Sequence, residues 1–250
     1  MSSDLTTETD LLAQLREFTT ARIAIGRVGN AIPLKQSMAF KLAHAHARDA
    51  VYSSLAIDVL LDKLKIFDLP LLHLHSQAGN RQKYLKRPDL GRLLHDDCKE
   101  QLSAHTDADI VIIIADGLSA EAVNENAVGL LKILIPQLNA ANLNIASICL
   151  AEQARVAIGD DIAYGLNARF SIVLIGERPG LSAADSMGAY LTYKPKPGLT
   201  DESRNCVSNI RKHGMNYKQA ASKIFYLVNE AFKRKLSGVA LKDNEGLLNH

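Results

Sequence analysis

The sequence predicts an α/β fold, a Rossmann-like parallel sheet flanked by helices and preceded by a mostly helical N-terminal region. Three observations predict it. Residues 109–115 (DIVIIIA), 144–150 (NIASICL) and 171–175 (SIVLI) are short, nearly continuous apolar runs, the texture of strands covered on both faces. Helical segments separate them, and strand–helix–strand alternation marks a parallel sheet with right-handed crossovers. Upstream, residues 34–65 are rich in Ala and Leu and contain no Gly or Pro. Two regions follow: residues 1–100, mostly helical, and residues 101–250, the α/β domain.

Leu11, Leu12, Leu15 and Phe18 fall at helical spacing and predict an amphipathic first helix ending near Gly26. Residues 34–65 read as one long helix or two abutting ones, and Phe67–His75 as a short extended segment. Residues 79–94 (GNRQKYLKRPDLGRLL) are basic and polar, with Pro88 suited to the first turn of a helix through Leu94. After the first apolar run, Ser119 caps a helix running to about Leu138, with Pro136 near its end. Val156–Leu166 reads as helical. Tyr190–Tyr193 reads as a short strand before the Lys194-Pro195-Lys196-Pro197-Gly198 break. Thr200 or Asp201 is expected to cap a helix through Lys212, stopped at His213-Gly214. A last helix spans Tyr217–Leu236, and the polar tail is expected to be loosely held.

Composition narrows function. Of 250 residues, 47% are hydrophobic and 22% charged, with a net charge of +2. That balance describes a globular chain and argues against nucleic acid or a membrane surface as the main partner. No apolar run approaches the roughly 20 residues that span a bilayer, and the polar leader MSSDLTTETD is not a secretory signal. Three separated cysteines, Cys98, Cys149 and Cys206, fit free thiols in a reducing compartment.

In a parallel sheet, ligands bind beyond the carboxyl ends of the strands. The ends here are Asp116-Gly117-Leu118-Ser119, Leu150-Ala151-Glu152-Gln153 and Gly176-Glu177-Arg178-Pro179-Gly180. None is a dinucleotide or Walker phosphate loop, which counts against the alternative of a free-standing nucleotide-binding enzyme. The last loop is the most constrained, because Pro179 extends Arg178 and the glycines permit close backbone approach. It reads either as a rigid turn with solvated charges or as a ligand-binding lip. Cys206 is expected in the second turn of a helix, where packing or ligand contact suits it better than nucleophilic work. His44 and His46 point to different helix faces, whereas His73 and His75 share a strand face without an evident third ligand. No catalytic set and no metal site is predicted.

Several phrases go beyond these patterns. FTTARIAIGRVGN (18–30), LAHAHARDAV (42–51), YLKRPDLGRLL (84–94), VIIIADGLSA (111–120), IGERPGLSAADSMGAYLT (175–192) and RNCVSNIR (204–211) together resemble the small subunit (light chain) of ethanolamine ammonia-lyase. The resemblance implies an adenosylcobalamin-dependent lyase that converts ethanolamine to acetaldehyde and ammonia by a radical mechanism. It implies a large (β/α)₈-barrel partner that holds the substrate, a hetero-oligomer, and a cytoplasmic setting within a bacterial microcompartment. In this chain, the cobalamin contacts it implies fall on Val156, in RVAIGD, on Glu177 and on Cys206, and residues 101–250 would be the cobalamin-contacting domain.

Overall fold

A computed structural model describes residues 15, 17–19, 21–102 and 108–242. Residues 11–14, 16 and 20 of the expected first helix lie outside these residues, as does the end of the tail, but residues 21–26 are described and are not helical, which corrects the expectation of a helix reaching Gly26. In order, the elements are α1 (Leu34–Tyr52), α2 (Ile57–Leu64), β1 (Leu71–His75), α3 (Arg81–Lys86), α4 (Asp96–Lys99), β2 (Ile110–Ala115), α5 (Ala120–Ala140), β3 (Ile145–Glu152), α6 (Ile158–Gly165), β4 (Phe170–Gly176), β5 (Met187–Tyr193), β6 (Asn205–Ile210) and α7 (Tyr217–Arg234).

The three apolar runs are β2, β3 and β4, and every residue of β2 and β4 is buried. The sheet order is β1-β3-β2-β4-β5-β6. The first four strands are parallel, whereas β4–β5 and β5–β6 pair antiparallel. The sheet is therefore mixed, which corrects the expectation of a parallel one. The reason is local: the segment after β4 is too short for a crossover helix and folds back as a hairpin.

Successive crossovers run in opposite directions along the sheet and place their helices on opposite faces. On one face, Ile110, Ile112 and Ile114 pack with Val123, Leu130 and Leu134 of α5 and Ile224 and Val228 of α7. On the other, Val111, Ile113 and Val173 pack with Ile158 and Ile162 of α6, together with Leu94 and Cys98. α6 covers β4, while α7 covers β5 and β6 from the opposite side.

Ser119 caps α5 as expected, its hydroxyl accepting from Ala122 N–H at 3.3 Å. The helix continues past Pro136 to Ala140. Residues 34–65 form two helices, α1 and α2, and Phe67–His75 ends in β1. Pro88 begins no long helix; a single 3₁₀ turn at Leu90–Arg92 follows it. The largest correction concerns residues 200–212. Only a 3₁₀ turn forms at Asp201–Ser203, and Asn205–Ile210 is an edge strand. Val207 and Ile210 are buried in the core, and a low-propensity run of Asn, Cys, Val and Ser yields to the hydrogen bonds offered by β5.

Candidate functional site

The antiparallel pair creates the site. β5 and β6 extend the sheet beyond α6, so the face that α6 covers on β4 continues as an open shelf. Tyr190 lies in its floor, packed against the α6-side core. Its register partner across the ladder is Cys206, so both side chains share that face. The Tyr190 hydroxyl and the Cys206 thiol interact across the ladder. Burial and the nearby sulfur push the Tyr190 phenol up. Burial also raises the Cys206 thiol, against the interaction with Tyr190. Cys206 is thus a neutral thiol near pH 7, which does not suit a nucleophile.

One wall is the segment between β3 and α6. Arg155, Val156 and Tyr190 line both a cavity of about 330 Å³, which reaches toward Arg92 and Arg204, and one of about 420 Å³, which reaches toward Glu177. The opposite wall is the β4–β5 hairpin, residues 177–186. Its carboxylate is fixed: Glu177 Oε2 accepts from the Ser186 hydroxyl at 2.5 Å and from Asn209 N–H at 3.2 Å. Oε1 has no hydrogen-bond partner among the described residues. The hairpin itself is tied down, since Ser119 Oγ donates to Ala184 O at 2.8 Å and Asn126 Nδ2 to Asp185 O at 3.0 Å.

The glycines flanking Glu177 are not equivalent. A Cβ at Gly176 would lie 1.9 Å from Ser119 O, so the end of β4 presses directly on the loop after β2. At Gly180 the nearest atom would be 3.8 Å away, which is ordinary contact. Gly188 matters instead. A side chain there would stand 3.1 Å from Glu177 Oε1 and 3.3 Å from the Tyr190 ring, filling the space between carboxylate and aromatic floor.

A buried ion pair joins the walls. Arg204 and Asp160 of α6 meet through two 2.7 Å hydrogen bonds, both side chains 2% exposed. Arg204 Nη1 also donates to Thr192 Oγ1 at 3.3 Å. Desolvation outweighs the Arg204 contact and raises the Asp160 carboxyl. Two residues beyond Arg204 stands Cys206, so this pair sets where Cys206 sits relative to Val156. Behind the rim, Asp116 at the end of β2 accepts from Gln153 and Ala154 N–H at 2.8 and 2.9 Å. Burial pushes its carboxyl up to about 6.

Val156 and Glu177 line one cavity, and Cys206 joins them through Tyr190. Cys206 is not among the residues lining either cavity, and it arrives on a strand and not on a helix. Reading the sequence missed Tyr190 and Ser186. The one available signal for Tyr190 is a polar-tipped aromatic inside an apolar run. Arg178 is exposed and borders the cavity beside Glu177. His73 meets Glu152 at 2.6 Å, and the His75 ring lies 4.6 Å from that of His95, tilted against it. Among the described residues no group of three or more His, Cys, Asp or Glu side chains could hold a metal ion.

The fold and shelf define a class: an α/β chain with a half-open, mixed apolar and polar groove beyond its strand ends, lacking phosphate loops. The family model described as ethanolamine ammonia-lyase light chain (EutC) matches residues 9–242. The chain is 48% identical over 235 residues to the ethanolamine ammonia-lyase small subunit of Azotobacter vinelandii, covering 92% of this chain and 87% of that one. It is 48% identical over 248 residues to the small subunit of Xanthomonas campestris pv. campestris, covering 97% and 91%. For Pseudomonas fluorescens the figures are 47% over 235 residues, covering 92% and 86%. The chain belongs to the ethanolamine ammonia-lyase light chain family.

Proposed function

We propose that this chain acts as the small subunit of a hetero-oligomeric ethanolamine ammonia-lyase and forms one side of an adenosylcobalamin site at the interface with the large subunit. The observation that carries this reading is the convergence of Val156, Glu177 and Cys206 around Tyr190 on a shelf open to one side. The residues fit the cofactor. Corrin is a flat apolar ring edged with amides. Val156 and the Tyr190 ring offer apolar contact, Glu177 Oε1 can accept from an amide N–H, and the lack of a side chain at Gly188 leaves room between them.

When bound, adenosylcobalamin supplies the carbon-centred radical that abstracts hydrogen from ethanolamine, by homolysis of its cobalt–carbon bond. This chain's part is to bind, orient and exclude water. The Ser186 and Asn209 bonds hold Glu177 still, so its free oxygen is preorganised. Val156, Tyr190 and the neutral Cys206 keep the shelf dry. No residue of the chain is assigned a catalytic role. The barrel partner carries the substrate pocket in this reading.

Exposed apolar residues support a partner. α1 buries only Ala50, while Leu34, Met38 and Leu42 stand in an i, i+4, i+8 stripe at 78%, 56% and 59% exposure. Such a stripe marks an interaction surface. We assign residues 1–100 mainly to assembly and residues 101–250 to cofactor contact. The setting proposed is the bacterial cytoplasm, within an ethanolamine-utilisation microcompartment; no helix among the described residues is long and apolar enough to cross a membrane.

The test is co-expression with a large subunit and assay of acetaldehyde formed from ethanolamine with adenosylcobalamin. Activity is expected only from the assembled complex. Turnover by either subunit alone would refute the division of labour.

A further inference from the structure

Five arginines border or back the two cavities; Arg178 is exposed to solvent, and three of the other four are neutralised within the chain. Arg81 faces Asp116 at 3.4 Å, Arg92 faces Asp201 at 3.1 Å, and Arg204 faces Asp160 at 2.7 Å. Arg155 differs. No carboxylate meets it, and its guanidinium makes no hydrogen bond among the described residues. Its Nε is buried without a partner. A fixed cation at a half-buried site is costly unless an anion completes it.

The site around it is built. The Arg155 guanidinium carbon lies 4.4 Å from the centroid of the Tyr84 ring, and that of Arg81 lies 4.7 Å from the same ring. Tyr84 is fully buried and its hydroxyl donates to Ala154 O at 3.2 Å. Backbone N–H of Arg155 donates to Gly91 O at 2.7 Å. A Cβ at Gly91 would crowd the Tyr84 ring at 2.9 Å and Arg155 Cγ at 3.1 Å, so Gly91 lets the stack close. The side chain is therefore held in place with its donors spare, lining both cavities beside Val156.

We propose that Arg155 is an anion subsite for the phosphodiester of the cobalamin nucleotide loop. This rests on the cobalamin reading above. The other polar groups on that cofactor's periphery, amides and sugar hydroxyls, are neutral, so its anionic phosphodiester is the group that complements an unpaired guanidinium.

The experiment uses the complex with the large subunit and measures binding by equilibrium dialysis, with no turnover needed. The ligands are cyanocobalamin and dicyanocobinamide, which lacks the nucleotide and its phosphodiester. R155Q is expected to weaken cyanocobalamin roughly 10–100-fold, the effect of losing charge-assisted hydrogen bonds, and to leave cobinamide binding unchanged. R155K, which keeps the charge, is expected to show a smaller loss, again confined to cyanocobalamin. Equal losses for both ligands, or no loss for either, would overturn the proposal. So would failure of R155Q and R155K to assemble, since Arg155 would then pair with a carboxylate of the large subunit. A wild-type complex that binds neither corrinoid would instead bring down the cofactor reading on which the subsite rests.

Discussion

Glu177 shows how a residue's role depends on what holds it. Its carboxylate is one of many in the chain, but two donors lock Oε2 and leave Oε1 facing the empty space above Gly188. Glu177→Ala is expected to weaken corrinoid binding by the assembled complex about 10-fold, the scale of one hydrogen bond to a charged group. Ser186→Ala should lose less, because Asn209 still holds the carboxylate. Gly188→Val should weaken binding more than either, by filling the shelf. Unchanged dialysis constants for all three would remove this wall from the site. Asp116 makes a separate, pH-dependent prediction. The unfolded chain releases that proton near the ordinary 3.8 and the folded chain near 6. Between those values the folded state holds more protons and gains stability as pH falls, by on the order of 2–3 kcal/mol. Asp116→Asn lacks this titration, so the wild-type advantage in chemical denaturation should grow from pH 7 to pH 4.5. An advantage that shrinks over that range would contradict the assignment.

At the scale of elements, legibility followed burial. β2, β3 and β4 could be read because both faces are covered and every position asks for an apolar side chain. β6 could not. It is an edge strand whose Cys206, Ser208 and Asn209 are exposed, and the preceding Thr200-Asp201-Glu202-Ser203 resembles a helix cap. What makes it a strand is the ladder to β5 and the anchoring of Arg204 on Asp160, neither of which is local in sequence. The site was legible to the same extent. Val156, Glu177 and Cys206 were all assigned by resemblance; the first two also follow predicted strands, Cys206 does not, and Tyr190 depends on an antiparallel register that nothing in the sequence declares. Two predictions belong here. Arg204→Ala, by stranding a buried carboxylate, should destabilise the chain by about 3–5 kcal/mol, and Arg204→Met with Asp160→Leu should recover part of that. Urea unfolding checks both; a cost under about 1 kcal/mol for Arg204→Ala would show the pair is not an anchor. Replacing Leu34, Met38 and Leu42 of α1 together with Ser should leave the melting temperature within a few degrees, yet weaken co-purification with the large subunit. Undiminished co-purification would free that stripe from the interface.

At the scale of the whole molecule, the mixed sheet connects fold to function. A purely parallel sheet would have carried another crossover helix over the face where Tyr190 and Cys206 now lie open. Turning back after β4 instead makes a hairpin that carries Glu177 and an edge strand that carries Cys206, and leaves between them a shelf closed on one side only. That half-site explains why activity is expected from the complex and not from this chain. The most direct measurement is the structure of the complex with a cobalamin bound. Corrin atoms are expected within about 4 Å of Val156, Glu177 and Tyr190, with the large subunit closing the other side. A corrin held wholly by the large subunit, with the shelf of this chain remote from it, would contradict the account.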